Sequence, residues 1–196
     1  LDKYNGPLYD VTQAYQLAFN ASPVDFAPTY PGDDTYNWPH LRFGTVDKYK
    51  GVDLLVDAYC NLTCKSLKLV IAGRGFDIET HNENIIRINR FIEDEEVAYL
   101  FKKAKFIVYP YRSATMSGVL SLAYYFNKKV LASTIPFFED NATLNVVLFK
   151  VNDIDDLERK MKSLIFGKNL SVDPTSYLNI YGEGTLINSY WGLYED

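Results

Sequence analysis

The chain is poor in the residues from which metal sites, disulfides and catalytic triads are built. Its 196 residues include only two cysteines, Cys60 and Cys64, and two histidines, His40 and His81. The Cys-x3-Cys spacing has no second pair and the histidines complete no zinc pattern, so nothing points to a metal site. Both thiols read as free, buried or half-buried small core residues. With so few histidines no Ser-His-Asp or Cys-His arrangement stands out. Basic residues are outnumbered, 20 Lys and Arg against 25 Asp and Glu, and the net charge of -5 argues against a nucleic-acid surface or a polybasic membrane anchor. No apolar run approaches the roughly 20 residues that span a bilayer. No leader peptide is apparent, and a start at Leu1 rather than Met reads as a partial or trimmed chain. Asn-x-Ser/Thr sequons stand at Asn20, Asn61, Asn141 and Asn169, but in a chain rich in Asn they read as coincidence. The expected location is cytoplasmic, with a peripheral place at the inner face of a membrane left open.

What the chain does have is apolar material, 47% of the total, enough for one compact core. Residues 1–37 stand apart, with Pro7, Pro23, Pro28 and Pro31, many Tyr and little periodicity, and read as an N-terminal extension or linker with a short helix over Tyr9 to Phe19. Residues 38–196 read as the folded domain. Strands are expected at Leu41–Gly44, Leu67–Ala72, Ile85–Ile92, Lys105–Tyr109, Lys129–Ser133 and Val146–Phe149. Between them run helical stripes: Val52, Leu55, Val56 and Tyr59 in 50–61; Val97, Leu100, Phe101 and Ala104; 117–126; Ile154, Leu157, Met161 and Leu164; and finally Ile187, Tyr190, Trp191 and Tyr194. Glu93, Asp94, Glu95 and Glu96 fit a solvated helix start, where negative charge suits the dipole, better than paired carboxylates or a metal site. The alternation predicts an α/β fold, a Rossmann-like parallel sheet with helices on both faces.

In such a sheet ligands bind beyond the carboxyl ends of the strands. Three loops fall there. Gly44-Thr-Val-Asp-Lys-Tyr-Lys-Gly51 places Lys50 at a helix start, where a cation opposes the dipole and an anionic ligand would account for it; the alternative is a surface lysine beside an ordinary turn. Gly73-Arg-Gly75 lacks the full Gly-x-Gly-x-x-Gly fingerprint, because position 78 is Ile, so Arg74 is either a phosphate ligand or an exposed loop arginine. The segment Tyr109-Pro-Tyr-Arg-Ser-Ala-Thr-Met-Ser-Gly118 joins a strand to a helix through small residues; Thr115, Ser117 and Gly118 can present N–H and hydroxyl donors to a phosphate, or Ser117 can simply cap the helix. Three such loops on one edge suggest a nucleotide diphosphate site.

These residues resemble a known family. Phe43-Gly44, Tyr49-Lys-Gly-Val-Asp-Leu-Leu55, Leu69-Val-Ile-Ala-Gly73-x-Gly75, Asp94-Glu-Glu-Val-Ala-Tyr-Leu-Phe-Lys-Lys-Ala104 and Tyr109 to Leu120 are similar, in order, to segments of the family 4 retaining glycosyltransferases, the last to the Ser-Ala-Thr-x-Ser-Gly variant of that family. The resemblance covers about residues 40 to 166. It implies the C-terminal, donor-binding half of a GT-B fold, which takes a UDP- or GDP-type nucleotide sugar without a metal or other cofactor and transfers the sugar, with retention, to a glycan or lipid-linked acceptor. The acceptor-binding domain would be missing, leaving the isolated domain inactive. Lys50 would hold the diphosphate and stabilise the leaving group. The donor contacts it implies are Gly44, Thr45, Lys50, Gly73, Arg74, Asn89, Phe91, Arg112, Thr115, Met116, Ser117, Gly118 and Val119, with Asn89 to Phe91 beside the base.

The chain departs from the family pattern at four places. Thr45 stands where the family has Arg, Ala114 and Leu122 where it has Glu, and Pro136-Phe137 where it has Gly-Gly. The losses at Thr45, Ala114 and Leu122 motivate a second reading, a degenerate module that binds or regulates a partner and performs no transfer. A nucleotide-sugar epimerase, related by sheet and loops alone, is opposed by the absence of a recognisable acid/base pair.

Overall fold

A computed structural model of the protein describes residues 40–43, 47–63, 68–75, 80–114, 118–167 and 171–181. Six short parallel strands form one sheet: β1 (His40–Phe43), β2 (Leu69–Ala72), β3 (Ile85–Ile88), β4 (Phe106–Tyr109), β5 (Lys129–Ser133) and β6 (Val146–Phe149). Their order across the sheet is β3-β2-β1-β4-β5-β6. The chain therefore winds outward in one direction from β1 to β3, then returns to the middle and winds outward in the other. All five pairings are parallel, with His40 opposite both Leu69 and Phe106.

The near-continuous apolar strands are explained by cover on both faces. Successive side chains point to opposite sides. Val70, Ala72, Ile107, Tyr109, Val130 and Ala132 face a core that includes Leu100, Phe101, Leu120, Tyr124 and Phe138. Their neighbours Leu69, Ile71, Phe106, Val108 and Leu131 face a second core that includes Leu55, Tyr59, Leu157 and Met161. The second face is covered by α1 (Val52–Cys60) and α5 (Ile154–Phe166), which pack together. The first is covered by α2 (Asp94–Lys103), α3 (Val119–Tyr125), α4 (Pro136–Asp140) and α6 (Ser176–Tyr181).

Several expectations are corrected. The helix expected over 50–61 is two pieces, a 3-10 turn at Lys48–Lys50 and then α1, separated by Gly51 with φ +60. The strand expected to reach Ile92 ends at Ile88, because the chain turns at Arg90, whose N–H bonds back to the carbonyl of Ile88. Its guanidinium then takes both Glu96 oxygens, at 2.7 and 2.6 Å, and ties the turn to the first turn of α2. Ile92 is apolar because it packs in the core after that turn. The helix expected from Ser117 begins at Val119. Cys60 is exposed rather than buried. Two helices were not anticipated: α4, started by Pro136 with Phe138 buried, and α6, whose Tyr177 and Tyr181 meet Tyr125 and Tyr124 of α3. The extension over 1–37, the final helix over 187–194, Cys64, Asn20 and Asn169 lie outside the described residues.

Candidate functional site

A sheet wound in this order has its switch point between β1 and β4, where the two connections leave toward opposite faces and open a crevice at the carboxyl ends. On the β1 side, Asp47 caps the 3-10 turn by accepting the N–H of Lys48 at 2.6 Å. Lys50 ends that turn, and Gly51 reverses the chain into α1. Gly51 is dictated by two constraints. Its φ of +60 is costly for a residue with a side chain, and a Cβ there would lie 2.0 Å from the carbonyl oxygen of Pro110, just past β4. The two sides of the crevice are thus in backbone contact.

Lys50 is only 8% exposed. Its Nζ lies 5.6 Å from the ring centroids of both Tyr49 and Tyr111. An ammonium is expensive to withdraw from water, and two aromatic faces offset part of that cost. Tyr111 is held in turn. Its ring packs edge-on to Tyr109 at 5.8 Å and against Phe138 at 5.4 Å, and its carbonyl accepts the hydroxyl of buried Ser133. Tyr109, inside β4, donates its own hydroxyl to the carbonyl of Val119 at 2.8 Å and so anchors the first turn of α3.

Arg112 completes this side. Its backbone N–H donates to the carbonyl of Tyr49 at 2.7 Å and its Nη1 to the carbonyl of Lys48 at 2.8 Å. The guanidinium also forks onto both carboxylate oxygens of Asp53 in α1, each at 2.8 Å. The bond from Arg112 holds the Asp53 carboxyl below its ordinary value, opposed by some burial, and Asp53 raises the guanidinium.

The other loops are more open. Gly73 and Gly75 have φ of +135 and +156, and the N–H of Gly75 donates to Asn89 Oδ1 at 3.1 Å, which joins the ends of β2 and β3. Arg74 is exposed, and Phe91 is 68% exposed.

Of the residues expected at the site, Lys50 and Arg112 are therefore brought together, with Gly118 and Val119 linked to them through Tyr109. Gly73, Arg74, Asn89 and Phe91 form a second group on the same edge of the sheet. Gly44, Thr45, Thr115, Met116 and Ser117 lie outside the described residues. Sequence reasoning gave no role to Asp53, Tyr49 or Tyr111, although all three stand inside the quoted motifs. A carboxylate three residues after the lysine was the available signal. Ala114 and Leu122, at the positions where the family resemblance implies Glu, are half-buried and pack on the apolar core. Among the described residues no three His, Cys, Asp or Glu gather as a metal would require, and no helix is long and apolar enough to cross a membrane.

The class of protein follows from the winding: a Rossmann-like α/β domain whose sheet has its switch point between β1 and β4. More particularly, the chain belongs to the glycosyl transferases group 1, whose family profile matches residues 41–166. No curated protein matches it by sequence. Solved GT-B glycosyltransferases share its fold. Sucrose-phosphate synthase from Thermosynechococcus elongatus superposes with a TM-score of 0.61 at 16% identity, over 81% of this chain and 45% of that one. Anabaena HepE in complex with UDP gives 0.64 at 12% identity, over 81% and 48%. The C-terminal domain of LpcC, a glycosyl transferase group 1 family protein from Francisella tularensis, gives 0.60 at 15% identity, over 79% of this chain and 87% of that domain. The chain thus spans less than half of the first two structures and most of the isolated C-terminal domain.

Proposed function

We propose that the chain is the nucleotide-sugar-binding half of a family 4 retaining glycosyltransferase of the Ser-Ala-Thr-x-Ser-Gly variant. It binds the diphosphate of a UDP- or GDP-type donor without a metal and works with an acceptor-binding domain to transfer a hexose to a glycan or lipid-linked acceptor. The observation that carries this reading is the buried Lys50, held between Tyr49 and Tyr111 at the switch point. A cation fixed in a poorly hydrated crevice stabilises charge developing on a leaving diphosphate more than a mobile surface lysine does, because it needs no reorganisation during the reaction. That HepE, of the same fold, is solved in complex with UDP supports the choice of ligand. Backbone N–H groups near Gly118 add donors to the phosphates. The side chains after β2 and β3, among them Asn89 and Phe91, lie beside the base.

Titration calorimetry with UDP, GDP and ADP, with and without magnesium, tests the reading. Binding of one diphosphate, unchanged by magnesium, is expected. Lys50→Ala should weaken it by about 1–3 kcal/mol, as loss of a charged hydrogen bond does. Unchanged affinity in that variant would remove Lys50 from the site. A second reading has its own observation, the apolar packing of Ala114 and Leu122 where the family carries Glu. A module without those carboxylates that binds a partner and performs no transfer would take up none of the three diphosphates while folded.

A further inference from the structure

We infer that the Asp53–Arg112 pair is a positioning clamp for Lys50, and that Arg112 is not itself a ligand of the donor. The inference rests on the reading of Lys50 as the diphosphate-binding cation. The geometry is specific. The two carbonyls preceding Lys50, those of Lys48 and Tyr49, are both held by Arg112, one through Nη1 and one through the backbone N–H. The same guanidinium is fixed in the bidentate arrangement that a planar fork and a carboxylate make best. Asp53 belongs to α1, three residues beyond Lys50, so the pair ties the helix that starts after Gly51 to the loop that leaves β4. Lys50 sits between those two anchors.

The alternative use of Arg112, direct contact with a phosphate, conflicts with this arrangement. Both terminal nitrogens already bond to Asp53. The carboxylate also cancels the charge an anion would seek. To reach the donor, Arg112 would have to leave Asp53 and the carbonyl of Lys48, which would loosen the turn that carries Lys50. The pair is partly exposed, with side-chain exposures of 34% for Arg112 and 61% for Asp53, so its contribution lies in geometry more than in Coulomb energy.

The two roles predict opposite signs. If the pair is a clamp, Asp53→Asn weakens nucleoside diphosphate binding by about tenfold, within the range that coupled neighbours show, and D53E recovers part of the loss. If Arg112 is a donor ligand, D53N frees it and binding tightens or stays the same. The test is titration of the chain with UDP, GDP, ADP and inorganic pyrophosphate, for wild type, D53N, D53E, K50A and the K50A/D53N double variant, with circular dichroism melting of each. In the clamp the mutations share one effect, so D53N costs nothing further once Lys50 is gone. D53N affinity equal to or tighter than wild type, or a full additional loss in the K50A background, overturns the clamp alone. A folded wild type that binds none of the four probes overturns the donor-site reading, and the clamp with it. Should D53N not fold, R112K with and without K50A decides: no further loss in the K50A background supports the clamp, and additive loss supports a direct ligand.

Discussion

Two stretches of the same sheet edge are built differently. At the switch point, Gly51 lies against Pro110, Arg112 holds two carbonyls of the facing turn, and the cation sits between two tyrosine rings packed edge-on. At the ends of β2 and β3 the described contacts are two hydrogen bonds, from the Gly73 N–H to the carbonyl of Ile88 and from the Gly75 N–H to Asn89, and Phe91 faces solvent. Rigid geometry is needed where charge must be met at a fixed point, and an open surface suffices where a flat ring only has to lie down. If the proposed donor site is right, the end of the crevice that would meet the phosphates is preorganised and the end that would meet the base adapts.

The largest expected effect breaks the tight region directly. Gly51→Ala combines a side chain at positive φ with a Cβ pressed on the carbonyl of Pro110. Adding about 1–2 kcal/mol for the backbone conformation to about 1–3 kcal/mol for overpacking gives a loss of about 2–5 kcal/mol, a large part of a typical domain's stability. Urea unfolding measures it. An alanine variant as stable as wild type would show that the close approach of the two loops is not maintained in solution. Lys50→Ala comes next. Its effect should fall on nucleotide affinity more than on stability, because the two tyrosines that flank it also pack edge-on to each other, and Tyr111 packs edge-on to Tyr109.

The contrast also shows which parts of the molecule were legible in the sequence. Apolar runs bounded by polar residues marked Lys129–Ser133 and Val146–Phe149 to the residue. The reading failed where an apolar residue serves a different element: Ile92 extended β3 on paper but packs in the core beyond a turn set by Arg90 and Glu96. The strand order was not legible, because periodicity says which face a residue lies on and nothing about which strand is next. Lys50 stood out because a cation at a helix start runs against the dipole. Tyr111 and Asp53 did not, since their meaning lies in a loop and a helix about 60 residues apart meeting in space, which only the winding of the sheet brings about.

Acidification offers a smaller effect at the same place. Asp53 titrates below the ordinary carboxylate value of 3.8 because Arg112 bonds its charged form. A carboxyl lowered by folding adds stability above its unfolded pKa, and that contribution disappears as pH falls through the folded pKa. Asp53→Asn should therefore be slightly less stable than wild type at neutral pH. The gap should close as pH drops below about 4, where the carboxylate protonates in the unfolded chain. Stability curves for the two proteins from pH 7 to pH 2.5 check the sign. A gap that widens in acid would mean the pair is absent in solution.

The smallest effect belongs to the open region and sharpens the comparison most. Phe91 buries little, so Phe91→Ala should change unfolding stability by no more than about 0.5 kcal/mol, as exposed positions generally do. Its effect on binding separates the two halves of the crevice. A base lying on the ring would lose about 0.5–1.5 kcal/mol of affinity, the scale of one aromatic contact, whereas pyrophosphate, which has no base, would lose none. Equal losses for UDP and pyrophosphate would place Phe91 in the phosphate region and end the division proposed here. Loss for the nucleotide alone would leave Lys50 and its clamp holding the diphosphate, with the choice of base left to the exposed loops after β2 and β3.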